Sequence, residues 1–184
     1  MKIALLNLLY DNNYGGNLQR YALMSVLQEM GHEVTHLNCR HVAKDPYILI
    51  KAYLRRVFTT ILKLFPLLKI SASLINRYGN PCAESDAFYK KYIKHTRIIS
   101  NKMELQRYLN YDVFVVGSDQ VWRKKYMLWG MGMYLFDYLP DNKTKIAYSV
   151  SLGSTNEECT PEDIEQLTHY MKNSKLSLSA KKVL

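Results

Sequence analysis

Apolar and polar positions along the first forty residues alternate between two kinds of pattern. Lys2 to Leu9 is a short apolar run that predicts a buried strand. It leads into Tyr10-Asp11-Asn12-Asn13-Tyr14-Gly15-Gly16-Asn17, a cluster of turn residues. Leu18, Ala22, Leu23, Val26, Leu27 and Met30 then recur at helical spacing, and Gly31 follows as a C-cap candidate. Glu33 to Leu37 reads as a second strand. Strand, polar Gly loop, helix, Gly and strand make the βαβ opening of a doubly wound α/β fold with a Rossmann-like parallel sheet. In such folds the loop after the first strand lies at the carboxyl edge of the sheet, where ligands bind.

A different pattern follows. Ile50, Leu54, Val57, Phe58, Ile61 and Phe65 share one side of a helix, while Lys51, Arg55, Arg56, Thr59 and Lys63 fall within an arc of about 140° on the other. Pro66 should end or kink that helix, with a second one running to Arg77 before Gly79. Asp45 to Arg77 is therefore expected to be a helical insertion, with the inserted region as a whole running to about Lys94. A further helix is expected from Glu84 to Lys94. Asn101 with Glu104 predicts a capping box and a short helix to Leu109.

Asp112 to Val116 is the best strand candidate, stopped by Gly117, and Lys145 to Leu152 is another, stopped by Gly153. Thr160-Pro161-Glu162-Asp163 supplies an N-cap, a Pro at the first helical position and acids in the first turn of a helix to Lys172. Lys175 to Ser179 is expected to be a last strand. It and Ala180 to Leu184 leave a sheet edge with nothing to cover it, so the chain reads as cut short.

Composition narrows the function classes. With 184 residues, 48% hydrophobic and 22% charged, the chain is sized for one domain, residues 1–184, with a real core. The net charge of +9 is local: Arg40 to Arg97 holds 12 basic and 3 acidic residues, and the remainder is balanced. Cys39, Cys82 and Cys159 form no CxxC pair, which points to a reduced compartment. The five histidines lack metal-ligand spacing, so no metal and no bound cofactor are expected. The N-terminus has no signal-peptide h-region, and no stretch approaches the roughly 18 apolar residues of a membrane span. A cytoplasmic protein is expected. The basic amphipathic stretch would suit peripheral contact with anionic lipid at the inner face of a membrane, or simply a solvated face on a helix packed against the sheet. Nucleic acid is not expected, since no recognition motif accompanies the charge.

Three loops could carry chemistry. In the first, Asn13, Gly15, Gly16 and Asn17 precede a helix, where backbone N–H groups and the helix dipole favour an anion. A simple strand-to-helix turn is the alternative. The loop is neither a dinucleotide fingerprint nor a P-loop, and Asn38 and Arg40 stand where an NAD site would need an acid. In the second, Gly117 permits close approach, Ser118 and Gln120 offer hydrogen bonds, Asp119 can accept a proton, and Trp122 offers a face to a sugar ring. Alternatively Ser118 and Asp119 cap a helix and Trp122 packs inward. In the third, Ala147 to Ser154 alternates apolar and small polar residues as a half-buried strand does, with Ser151 as its candidate contact.

Taken together and in this order, the three loops resemble the polysaccharide pyruvyl transferase family. Asn13-Tyr14-Gly15-Gly16-Asn17-Leu18-Gln19-Arg20-Tyr21-Ala22-Leu23 resembles its opening. Asp112-Val113-Phe114-Val115-Val116-Gly117-Ser118-Asp119-Gln120-Val121-Trp122 is similar to its central signature, and Lys145 to Gly153 to its next strand. Arg123 departs from the Asn that normally follows the Trp. The resemblance implies two Rossmann-like domains facing a cleft, of which this chain is the N-terminal, GT-B-like half. It also implies transfer of a pyruvyl group from phosphoenolpyruvate onto two hydroxyls of a sugar in a surface polysaccharide or exopolysaccharide precursor. On that footing Asp119 is the candidate base. Asn13, Gly15, Gly16, Asn17, Gly117, Ser118, Gln120, Trp122 and Ser151 would contact substrate. The second domain, which would supply most of the donor-binding Arg and His, is absent from the sequence. The chain is thus expected to be incomplete alone, completed by a C-terminal domain or a homo-oligomer. A non-catalytic sugar- or nucleotide-binding module is the competing reading.

Overall fold

The computed structural model describes residues 1–8, 13–40, 50, 53–54, 57–58, 61, 83–127, 130–153, 160–173 and 176–179. In chain order these form β1 (Lys2–Leu6), α1 (Tyr14–Glu29), β2 (Glu33–His36), α2 (Ala83–Tyr92), β3 (Val113–Asp119), α3 (Met131–Tyr134), β4 (Thr144–Val150), α4 (Pro161–Asn173) and β5 (Leu176–Ser179). Short 3-10 helices cover Lys102–Tyr108 and Lys124–Tyr126. The five strands make one sheet in the order β2-β1-β3-β4-β5, and every pairing is parallel.

Side-chain alternation explains why the strands carry almost unbroken apolar runs. Ile3, Leu5, Val113 and Val115 enter one core, with Met24 of α1 and Tyr89 and Ile93 from α2 and its end. Ala4, Leu6, Phe114, Val116 and Ala147 enter the other, with Leu105, Trp122, Met133 to Phe136 and Leu167 of α4. Both faces of the parallel sheet are thus covered, which demands hydrophobic residues of either parity. A doubly wound α/β sheet is the result.

Helix α1 begins four residues before the apolar periodicity does. Asn13, in extended conformation, accepts a hydrogen bond from the Gly15 N–H at 2.9 Å, so Tyr14 to Asn17 are its first turn and not the loop that two glycines suggest. Its other end matches expectation. Gly31, at a φ of +83°, donates to Gln28 and His32 donates to Leu27, the paired bonds of a Schellman cap. Asn101 caps Glu104 N–H at 3.1 Å and Glu104 returns to Ser100 N–H at 2.9 Å, but the turn they open is 3-10 and not α.

The connection from β2 to β3 holds the insertion. Within it, Ile50, Tyr53, Leu54, Val57, Phe58 and Ile61 are helical; Pro66 and the expected second helix to Arg77 lie outside the described residues. The chain then returns through α2 and runs beside β2. His95 bridges His36 and Ile99 bridges Cys39, both in parallel sense, so this segment lines the outer edge of β2. Among the described residues, no helix is long and apolar enough to cross a membrane.

Candidate functional site

The strand order places the topological switch between β1 and β3, because the chain leaves β1 toward β2 on one side and resumes at β3 on the other. The crevice outside the carboxyl ends of those two strands is where doubly wound sheets bind ligands. Asn7 and Leu8 lie at one lip, and Gly117, Ser118 and Asp119 at the other.

Asn7 joins the two lips. It is 6% exposed, its side-chain amide donates to the Gly117 carbonyl, and its Oδ1 has no hydrogen-bond partner. The sequence gives one signal of this: Asn7 is the polar residue interrupting the apolar run Lys2 to Leu9.

Gly117 is required by space. A Cβ there would stand 2.0 Å from the Tyr148 carbonyl oxygen, and its φ of +126° disfavours any side chain. Asp119, half-buried, holds a φ of +87°, and Ser149 on the neighbouring strand one of +47°. Non-glycine residues in this region are held there at a cost by their surroundings, and such positions cluster at functional sites. The Asp119 carbonyl accepts from Val121 N–H at 2.8 Å and from Ser151 N–H at 3.0 Å, while the Ser151 carbonyl accepts from Trp122 N–H at 3.3 Å. The ends of β3 and β4 are therefore stitched together. Gln120 packs over Gly153, where a Cβ would come within 2.5 Å of its Oε1, and that oxygen accepts from Arg123 at 3.2 Å. Gly117, Ser118, Asp119, Gln120 and Ser151 are thus brought together at one sheet edge.

Trp122 is a correction. Its ring is 1% exposed within the core and its indole N–H donates to the Tyr134 carbonyl at 3.3 Å, so it has no free face for a sugar. Ser118 and Asp119 cap no helix either; they end β3, and the 3-10 turn that follows starts at Lys124 without a side-chain cap.

Across the crevice, Asn13 and Gly15 are exposed and Gly16 half-buried in the first turn of α1, whose first turn carries no acid. A positive helix end suits an anion, and the nearby carboxylate of Glu84 from α2 accepts from the Tyr14 hydroxyl at 3.2 Å. Asn17, one turn along, does not look outward. It is 1% exposed, donates to Ser85 Oγ of α2 at 2.7 Å and accepts from Arg20, so it ties α1 to α2. Arg20, also buried, donates to the Leu8 carbonyl at 2.9 Å and so holds the β1 lip from behind.

Next to this framework, His36 donates or accepts at Nδ1 with the Tyr89 hydroxyl, 2.8 Å away. Burial first, then the nearby Arg20, His95 and Arg40, hold its imidazole neutral far below the usual histidine range. Burial also pushes the Cys39 thiol up to about 12, which makes it an inert core residue. On the far side of the β3 loop, a cavity of about 350 Å³ is lined by Lys124, Met127, Gly130, Met131 and Asp163. Lys124 pairs with Asp163 at 2.6 Å, and that hydrogen bond, with one from Thr160 N–H, lowers the Asp163 carboxyl below its ordinary value.

The family model for polysaccharide pyruvyl transferases matches residues 13–179, most of the chain, leaving out β1 and its lip at Asn7 and Leu8. The chain belongs to the polysaccharide pyruvyl transferase family. No curated protein and no solved structure matches it significantly. Within this family member, the match begins at Asn13, the cap of α1, and ends at Ser179, the last residue of β5. It covers the α1 turn, the β3 loop and the end of β4 in one parallel sheet.

Proposed function

We propose that this polysaccharide pyruvyl transferase takes phosphoenolpyruvate as donor and a sugar of a surface polysaccharide, or its precursor, as acceptor, working in the cytoplasm. The observation that carries the reading is the family match over residues 13–179, within which every candidate contact lies.

The chemistry sets what the crevice must do. Two hydroxyls of one sugar add to C2 of the enolpyruvyl group, the C3 methylene takes up a proton and becomes a methyl, and the C2–O bond to phosphate breaks. One hydroxyl proton balances that taken up by C3, and the other balances the phosphate that leaves. A base is needed at the acceptor hydroxyl, and Asp119, half-buried at the end of β3 beside Ser118 and Gln120, is the residue we assign to it. The acid-free first turn of α1, with Asn13, Gly15 and Gly16, suits the anionic groups of the donor.

The test supplies the purified chain with phosphoenolpyruvate and a panel of diol-bearing sugars, and follows phosphate release together with a new ketal methyl signal by NMR. Release that depends on the sugar and appears in step with the ketal supports the reading. Saturable sugar binding with neither signal would instead favour a binding module.

A further inference from the structure

We propose that the helical face formed by Ile50, Tyr53, Leu54, Val57 and Ile61 docks on an anionic lipid surface. These five side chains are 58%, 67%, 59%, 38% and 48% exposed. A single exposed apolar residue is ordinary, but these recur at helical spacing and fall within an arc of about 100°. That makes them a stripe, and a helix normally turns such a stripe toward a core. Here none of the described residues of this helix belongs to either of the sheet's two cores.

Charge decides what fits the stripe. The surplus of basic residues belongs to the same segment, with 12 basic against 3 acidic from Arg40 to Arg97. In the sequence, Lys51, Arg55, Arg56 and Lys63 interleave with and follow the stripe residues. An apolar stripe flanked by cations fits a bilayer interface, where acyl chains take the stripe and anionic headgroups take the cations. A second copy would bring the same positive surplus against itself, which opposes self-association. Nucleic acid would satisfy the cations and leave the stripe in water. The proposal stands independently of the transfer reading.

Sedimentation of the full chain with vesicles tests it, comparing phosphatidylcholine alone with phosphatidylcholine containing phosphatidylglycerol. The chain is expected to pellet with the anionic vesicles and to be released as salt rises. The exchange Leu54→Asp with Val57→Asp should weaken binding at least about tenfold, and the single change Ile50→Asp should weaken it in the same direction. Because these side chains are exposed, circular dichroism and the thermal midpoint should not move. Failure to pellet with anionic vesicles would overturn the proposal, as would equal pelleting of parent and variants. A concentration-dependent dimer in sedimentation velocity that the same exchange dissolves would overturn it in favour of a second copy.

Discussion

Asn7 donates its side-chain amide to the carbonyl of Gly117, 110 residues away, across the crevice between β1 and β3. The bond runs from the residue just after β1 to the carboxyl-terminal part of β3, near where the two chains diverge toward different loops.

Asn7→Asp should therefore destabilise the fold by about 2 kcal/mol or more at neutral pH, since it removes the donor and buries a charge. Urea unfolding measures this. The loss should shrink in acid, where a protonated carboxyl regains a donor. An unchanged midpoint at neutral pH would mean that the amide does not hold the two strand ends together.

Asp119 separates catalysis from backbone strain. Asp119→Asn should lower turnover at least about tenfold with the fold intact. Asp119→Gly should lose activity equally while stability holds or rises by up to about 1 kcal/mol, because glycine adopts a φ of +87° without cost. Unaltered turnover in Asp119→Asn would remove it as the base.

Gly117→Ala should cost at least about 3 kcal/mol, because its Cβ would meet backbone and not a movable side chain. Thermal unfolding, or loss of soluble protein on expression, reads the effect.

Trp122→Ala should cost about 3–5 kcal/mol of stability, as expected for a fully buried ring. A ligand-facing tryptophan would give the opposite result, with weaker sugar binding and an unchanged denaturation midpoint.

His36 should make the fold acid-sensitive in the mildly acid range. Its folded-state affinity for protons is depressed, so below about pH 6.5 the unfolded chain binds a proton that the native chain refuses. Stability should be flat above that point and fall by about 1.4 kcal/mol per pH unit beneath it. His36→Gln, which keeps a hydrogen-bonding group for Tyr89, should flatten the slope between about pH 5 and pH 6.5. A parent protein whose thermal midpoint is constant over that window would contradict this.

The strands were legible because both sheet faces are covered. Val113 to Val116 and Ile3 to Leu6 must be apolar at every position, and such runs ending near Gly or Asn admit few other readings. The start of α1 was misread for a local reason. Gly15-Gly16 signals a turn by propensity, yet in the first turn an Asn13 cap outweighs that preference. Pairing order carries no signature in periodicity, so the switch point between β1 and β3 emerged only with the sheet. Asn17 and Ser85 are 68 residues apart, and nothing in either segment announces their contact. Trp122 beside Gly117-Ser118-Asp119 looked like a binding residue by company, whereas its burial is set by the β3–β4 stitching that turns the chain inward.

The pairing of Cys39 with Ile99 makes the insertion an appendage on a closed stem. Arg40 N–H donates to the Ile99 carbonyl at 3.1 Å and Ile99 N–H to the Asn38 carbonyl at 2.9 Å, so the chain departs and returns through one hydrogen-bonded gate. Helix α2 belongs to the scaffold, since Tyr89 and Ile93 stand in the core, but the stretch between Arg40 and Ala83 can change length at little entropic expense, about 0.6 kcal/mol for each doubling. Shortening it, grafting another segment into it or cutting it with a protease should leave the sheet standing, which makes this stem a natural splice point for dividing the scaffold from its basic arm.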